Sequence, residues 1–198
     1  MLVKKIKLGI DIGSTTVKAI VLDAGTDEVL YSEYRRHEAK QAYAVAQLLG
    51  NVKEQFPNCE IRCALTGSGA APMAQALGVF YVQEVVANAI AVGKLFPSAR
   101  TAIELGGQDA KMIFFTEGQH TGRATVSDMR MNGSCAGGTG AFIDEIANLL
   151  RIPVEQFNDR ACLGTHVYDV SGRCGVYAKT DIQPLLNQGV PKEDLALS

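Results

Sequence analysis

The chain lacks a large excess of either charge: Lys plus Arg number 19 and Asp plus Glu 21, a net charge of −2. That balance gives no reason to invoke nucleic acid or an anionic membrane surface as a partner. No apolar run reaches the roughly 20 residues that a membrane span needs. The opening MLVKKIKLGID leads straight into a strand pattern and leaves no room for a signal peptide, so the expected location is the cytoplasm. Cysteine is sparse as well. Five cysteines in 198 residues do not make a disulfide framework, and in a reducing compartment they read as buried, catalytic or metal-binding. Histidine is scarcer still, and His37, His120 and His166 stand apart with no metal-ligand spacing. The rest of the composition is that of an ordinary soluble globular protein, 47% hydrophobic and 20% charged, with length enough for one large domain or two small ones.

Against this background one stretch stands out, MNGSCAGGTGAFIDEIANLL from Met131 to Leu150. Phe142, Ile143, Ile146, Leu149 and Leu150 recur at helical spacing, so a helix is expected to begin near Thr139. Cys135 then stands just before a helix N-terminus, where free N–H groups and the helix dipole favour a thiolate or an anionic metal cluster. SGRCGVYAKTDIQPLLNQG repeats the arrangement with Cys174 ahead of Val176, Ile182, Leu185 and Leu186, although Pro184 is expected to kink or restart that helix. Spacing alone leaves a second reading open, in which both thiols are small packing residues beside glycine loops.

Leu8 to Asp23, LGIDIGSTTVKAIVLD, reads as strand, tight glycine turn, strand. Gly13 lets the backbone turn, and Ser14, Thr15 and Thr16 add hydroxyl groups to exposed backbone N–H groups, forming an anion cradle. Asp11 ends the first strand, placed to hold a hydrated magnesium ion, and Lys18 is within reach of a phosphate. A helix follows from Ala39 to Gln55, with Ala42, Val45, Ala46, Leu48, Leu49 and Val52 on its apolar side. Cys59 to Thr66 is a short strand ending in a second glycine turn, Thr66-Gly67-Ser68-Gly69. Ala70–Leu77 and Glu84–Lys94 read as helices, the latter closed by Pro97, while Tyr81–Val85 is too short to assign.

At Ala99 the pattern restarts. ARTAIELGGQDAKMIFF gives strand, acid, glycine turn and strand again, with Glu104 in the place of Asp11 and Gly106-Gly107 in that of Gly13. Gln108 and Asp109 hold the polar end of the turn. An internal repeat of about a hundred residues follows. One glycine hairpin is weak evidence, but two facing each other are what a protein needs to grip a polyphosphate between two lobes.

DIGSTTVK and ELGGQDAK resemble the two phosphate-binding loops of the superfamily that contains actin, the heat-shock chaperone ATPases and the sugar and acetate kinases. MNGSCAGGTGAF and SGRCGVYAKTDI narrow the resemblance to the ATP-dependent activators of 2-hydroxyacyl-CoA dehydratases and the related benzoyl-CoA reductase ATPase subunits. The resemblance implies an α/β protein of two ribonuclease-H-like, actin-like ATPase lobes, 1–98 and 99–198. Gly13 to Thr16 with Lys18, and Gly106 to Asp109, would contact the phosphates of ATP or ADP. Asp11, Glu104 and Asp109 would surround Mg2+, and Gln108 would orient water.

The resemblance further implies that Cys135 and Cys174 ligate a [4Fe–4S] cluster. Such a cluster takes four thiolates, so two chains about a two-fold axis would share it, predicting a homodimer. The activity implied is ATP hydrolysis coupled to low-potential transfer of one electron, from a donor such as ferredoxin or flavodoxin to a dehydratase or reductase acting on an acyl-CoA. Glu104 replaces the family's usual Asp, and Lys179 stands where a glutamate is expected. A counterpart to Thr66-Gly67-Ser68-Gly69, the turn that holds adenosine, is missing from the second lobe, which is therefore expected to be truncated at its C-terminus. Two other readings compete: a small-molecule kinase of the same superfamily, such as an N-acetylglucosamine kinase, and a non-redox nucleotide-binding regulatory module. Cys59 and Cys63 read as packing residues, and Cys162 as a bystander in a polar loop.

Overall fold

The computed structural model describes residues 3–117, 124–132, 137–172 and 174–198. Its first sheet contains β1 (Lys5–Ile12), β2 (Thr16–Asp23), β3 (Val29–Arg36), β4 (Glu60–Thr66) and β5 (Phe80–Tyr81), in the order β3-β2-β1-β4-β5. A second, three-stranded sheet follows chain order through β6 (Thr101–Leu105), β7 (Ala110–Glu117) and β8 (Ala124–Met131). Two separate sheets, each entered by a glycine-turn hairpin, meet the expectation of a repeat; a single continuous parallel sheet would not. By contact the chain divides into two compact units, one running to Ala102 and resuming at Ile113–Asp128, the other Ile103–Met112 with Met129–Ser198.

In the first unit, β1 alternates strictly. Ile6, Leu8, Ile10 and Ile12 are buried while the residues between them are not, the period-2 signature of a strand with one face on a core. β2 pairs antiparallel to β1 and adds Val17, Ala19 and Val21 to the same core, and β4 pairs parallel and adds Leu65. Helix α1 (Gln41–Gln55) covers that face with Ala44, Val45, Leu48 and Val52. Its buried row runs 44, 48, 52, one turn apart, so the expected apolar side is corrected: Ala42 and Ala46 point to solvent. Truncating fully buried Leu48 to Ala would cost about 2–5 kcal/mol. Helix α2 (Ala70–Leu77) seats Ala70 and Ala74 on the core and ends on left-handed Gly78. Helix α3 (Glu84–Leu95) follows, and its Lys94 pairs with Asp27, as does Lys7 at 2.6 Å. Hydrogen bonds from those two lysines, that from Lys7 first, hold the Asp27 carboxyl down to about 2.

The second unit gathers α4 (Gly140–Leu150), α5 (Phe157–Ala161), α6 (Gly175–Asn187) and α7 (Lys192–Leu197) around Ile146, Leu150, Ile152, Ile182 and Leu195. Helix α6 runs through Pro184 without the restart that the sequence offered as one outcome: Ala178 and Ile182, one turn apart, hold it against the core on the turns before the proline. Val176 lies 71% exposed and is not one of its packing residues. Helix α7 is fastened by Asp194, whose carboxylate accepts the amides of Thr165 (2.7 Å) and His166 (3.1 Å). Among the described residues no helix is long and apolar enough to cross a membrane.

Candidate functional site

The first glycine loop grows from the register of β1 with β2. Asp11 pairs with Lys18 and Ile12 with Val17, so the chain reverses over four residues, closed by a hydrogen bond from the Gly13 amide to the Thr16 carbonyl at 2.9 Å. A Cβ on Gly13 would sit 3.3 Å from that carbonyl oxygen, a tight contact that asks the turn to give by a few tenths of an ångström. Lys18 Nζ lies 2.7 Å from Asp11 Oδ2, both side chains being partly exposed. Thr16 is buried, while Ser14 and Thr15 remain partly accessible at the tip.

The turn after β4 meets this loop from the side. Parallel pairing sets Thr66 beside Asp11, and Gly69 donates its amide to the carbonyl of Ile12 at 2.9 Å. Gly67 adopts φ +104°, and a Cβ there would lie 2.5 Å from Asp11 Oδ1 and closer still to the Ile12 carbonyl, so only glycine fits. The buried Thr66 Oγ1 finds no hydrogen-bond partner among the described residues.

The second loop repeats the closing turn bond and the acid–lysine pair of the first within the other unit. Gly106 donates to the Asp109 carbonyl at 2.8 Å, and Lys111, seven residues beyond Glu104, pairs with it at 3.3 Å as Lys18 does with Asp11. A Cβ on Gly106 would fall 2.7 Å from the Asp109 oxygen. Glu104 therefore occupies the place of Asp11, one methylene longer. Gln108 and Asp109 are exposed at the tip. Lys111 was not singled out in the sequence, although its place seven residues after the acid, like that of Lys18, was a signal available there.

Loop and helix are joined here. At the start of α4, Gly140 and Ala141 donate their amides to the carbonyls of Gly106 (2.9 Å) and Gly107 (2.8 Å). Cys135 lies outside the described residues. Cys174 is a free, half-buried thiol at the N-cap of α6, in extended conformation. Gly175 abuts both Phe142 of α4 and Gly137: a Cβ built on it would meet Phe142 Cδ2 at 2.9 Å and Gly137 Cα at 3.8 Å. Gly137 and the first turn of α4 thus lie against the start of α6. Lys179 pairs with Glu145 of α4, so the lysine that departs from the family pattern brings its own counter-charge.

Other thiols and imidazoles fall into place individually. Cys59 and Cys63 pack against the first core, and burial pushes the Cys63 thiol up. Cys162 is exposed, and His166 sets its ring edge against Tyr168 at a centroid distance of 4.6 Å. His120 lies outside the described residues. His37, isolated in the sequence, is buried beside Gly13, with Nε2 3.1 Å from the Gly13 carbonyl. No spacing rule predicts that contact, since it depends on β3 returning alongside β2.

Residues 8–197 match the BadF/BadG/BcrA/BcrD ATPase family. The chain is 29% identical over 190 residues to the (R)-2-hydroxyglutaryl-CoA dehydratase activating ATPase of Acidaminococcus fermentans, covering 95% of this chain and 70% of that one. It is 28% identical to the activator of lactoyl-CoA dehydratase of Anaerotignum propionicum, with the same coverage on both sides. In structure it is similar to the activator of the 2-hydroxyisocaproyl-CoA dehydratase from Clostridium difficile with bound ADPNP, at a TM-score of 0.78 and 26% identity, over 96% of this chain and 69% of that one.

Proposed function

Because the chain belongs to the BadF/BadG/BcrA/BcrD ATPase family, we propose that it is an ATP-dependent activator of a 2-hydroxyacyl-CoA dehydratase or a related acyl-CoA reductase. In this reading residues 1–98 and 99–198 act as its two lobes, it works in the cytoplasm as a homodimer, and ferredoxin or flavodoxin supplies its electron. The observation that carries the reading is the matched pair of loops: Gly13 and Gly106 close the same turn, and each follows a carboxylate paired to a lysine.

The loop amides and the hydroxyls of Ser14, Thr15 and Thr16 would bind nucleotide phosphates, with Lys18 adding charge. Mg2+ takes oxygen donors, and Asp11, Glu104, Asp109 and the Thr66 hydroxyl are of that kind, although among the described residues no three carboxylates already gather around a site. Thr66 Oγ1, buried beside Asp11 without a partner among the described residues, would be satisfied by a metal-bound water. Asp11, Glu104 and Asp109 would hold the ion, which compensates phosphate charge. Gln108 would orient the attacking water, since an amide aims a water without acting as a strong base.

A [4Fe–4S] cluster would be held by Cys135 and Cys174 from each of two chains and would supply one low-potential electron. Among the described residues no group of three His, Cys, Asp or Glu gathers into a metal site. The reading therefore draws on Cys135, outside them, and on a second copy of the chain. The free thiol of Cys174 at a helix N-cap suits a thiolate ligand, because the first amides of α6 favour negative charge. The bonds from Gly140 and Ala141 to Gly106 and Gly107 give nucleotide state a short route to α4.

Anaerobic reconstitution with iron quantification and sizing tests the proposal. About four irons per dimer are expected for the parent, and none for Cys135→Ser or Cys174→Ser, while Cys59→Ser and Cys162→Ser retain them. Iron at background in the parent, together with phosphoryl transfer to N-acetylglucosamine, would replace the activator with the kinase.

A further inference from the structure

The histidine that the sequence leaves isolated is bonded into the first phosphate loop. β3 ends at Arg36, opposite Thr16 on β2, so the next residue, His37, arrives beside the loop tip. Its amide donates to the Thr15 carbonyl at 3.2 Å, and its ring is enclosed, only 4% of the residue being exposed. The two ring nitrogens meet partners of fixed chemistry. Nδ1 lies 3.1 Å from the amide of Ala39, which can only donate, so Nδ1 carries no hydrogen. Nε2 lies 3.1 Å from the carbonyl of Gly13, which can only accept, so Nε2 carries it. The geometry specifies a single neutral tautomer. Glu38 and Ala39 both adopt positive φ (46° and 61°), a strained pair for residues with side chains, and this brings the Ala39 amide back over the ring.

We propose that His37 is a positioning residue that locks the Gly13 peptide, holding its carbonyl turned inward so that the amides at the loop tip remain free for an anionic phosphate. The close Thr16 carbonyl favours glycine at 13, and glycine also makes the Gly13–Ser14 peptide easy to flip. A flipped peptide would aim a carbonyl dipole at the phosphate and take an N–H away. The Gly13 amide, bonded to the Thr16 carbonyl, fixes the preceding peptide, and the Gly13 carbonyl, bonded to His37, is what holds the Gly13–Ser14 peptide itself. The loop is set before ligand arrives, which is how dipoles stabilise charge without reorganising. This inference rests on the reading of the loop as a nucleotide site.

The test joins a spectroscopic measurement on the parent to binding by two variants. Imidazole 15N shifts of the parent should show the Nε2–H tautomer; an Nδ1–H tautomer or a doubly protonated ring at neutral pH would overturn the proposal. By calorimetry with Mg-ADP, folded His37→Ala should bind about tenfold more weakly than the parent, the size expected for losing one hydrogen-bonded constraint. His37→Gln, whose amide can still donate to the Gly13 carbonyl, should recover most of that loss. A residue that merely fills the core would lower the melting temperature in both variants and leave the affinity of folded protein unchanged, and that result also overturns the proposal. A parent that binds no nucleotide would sink the phosphate-site reading and this inference with it, even with the tautomer as stated; a parent that binds, with unchanged His37→Ala, would sink the inference alone.

Discussion

Lys18 reaches back across the first hairpin to Asp11, Nζ to Oδ2 at 2.7 Å, so the loop's acid and its cation neutralise one another. Both side chains are partly exposed, 39% for Lys18 and 33% for Asp11, and an ion pair in that setting contributes about 0–1 kcal/mol to folding. The same carboxylate is the one proposed to hold magnesium. Asp11→Asn keeps the shape and removes the charge, so it should separate stability from binding. The melting temperature is expected to shift by no more than a few degrees, whereas the gain in nucleotide affinity on adding Mg2+ should fall at least about tenfold, roughly 1.4 kcal/mol. Calorimetry with and without Mg2+ is the check. A variant that keeps the full magnesium dependence would remove Asp11 from the metal site.

Asp194 gives a prediction about pH. The amides of Thr165 and then His166 hydrogen-bond to its carboxylate and hold it below the ordinary value of 3.8. A carboxyl with a depressed folded pKa stabilises the fold fully above its unfolded pKa and loses that contribution as pH falls through the folded one. Asp194→Asn should therefore unfold at lower urea than the parent at pH 6, with the gap closing as the pH is taken below 4 towards 2. Unfolding midpoints across that range decide it. A gap that stays constant with pH would mean that shape rather than charge matters at this position.

The two hairpins were legible in the sequence because their signals are local. An acid, a glycine and polar turn residues lie within six positions, and β-branched alternation flanks them. The helices α2, α3 and α4 were legible for the same reason, α4 starting one residue after Thr139. What was lost depended on topology. β3 reads YSEYRR along its length and lies at a sheet edge, where charges discourage unwanted pairing and hide the apolar period. β8, last in the second sheet, escaped in the same way with SDMRM. His37 and Gly13 are 24 residues apart, and only the register of β3 on β2 brings them together. A restart at Pro184 did not follow because the rule about proline is local, whereas Ala178 and Ile182 anchor the helix through tertiary packing. The partner of Lys179, Glu145 on α4, lies 34 residues away and is set by the packing of the two helices, which no local pattern shows.

Gly175 is the position at which the proposed cluster site can be disturbed without touching a thiol. It follows Cys174 directly and opens α6, with the ring of Phe142 packed where a side chain would go. A Cβ there would stand 2.9 Å from Phe142 Cδ2 and 3.2 Å from Cε2, inside van der Waals contact, so the ring and the start of α6 must separate by a few tenths of an ångström or more. The core below, formed by Ile146, Leu150 and Ile182, is a turn or more away and should keep both helices folded. Alanine also favours the helix over glycine by about 0.8–1.0 kcal/mol in a helix interior, and somewhat less at this first position, which opposes any general destabilisation. Gly175→Ala should thus melt within a few degrees of the parent yet hold its iron less well. The measurement is the rate of iron loss to a chelator after anaerobic reconstitution, expected to rise several-fold, with Cys162→Ser unchanged as the control. Iron retained at the parent's rate, in a variant whose stability is also unaltered, would show that Phe142 yields freely and that the geometry ahead of α6 does not govern the ligand at Cys174.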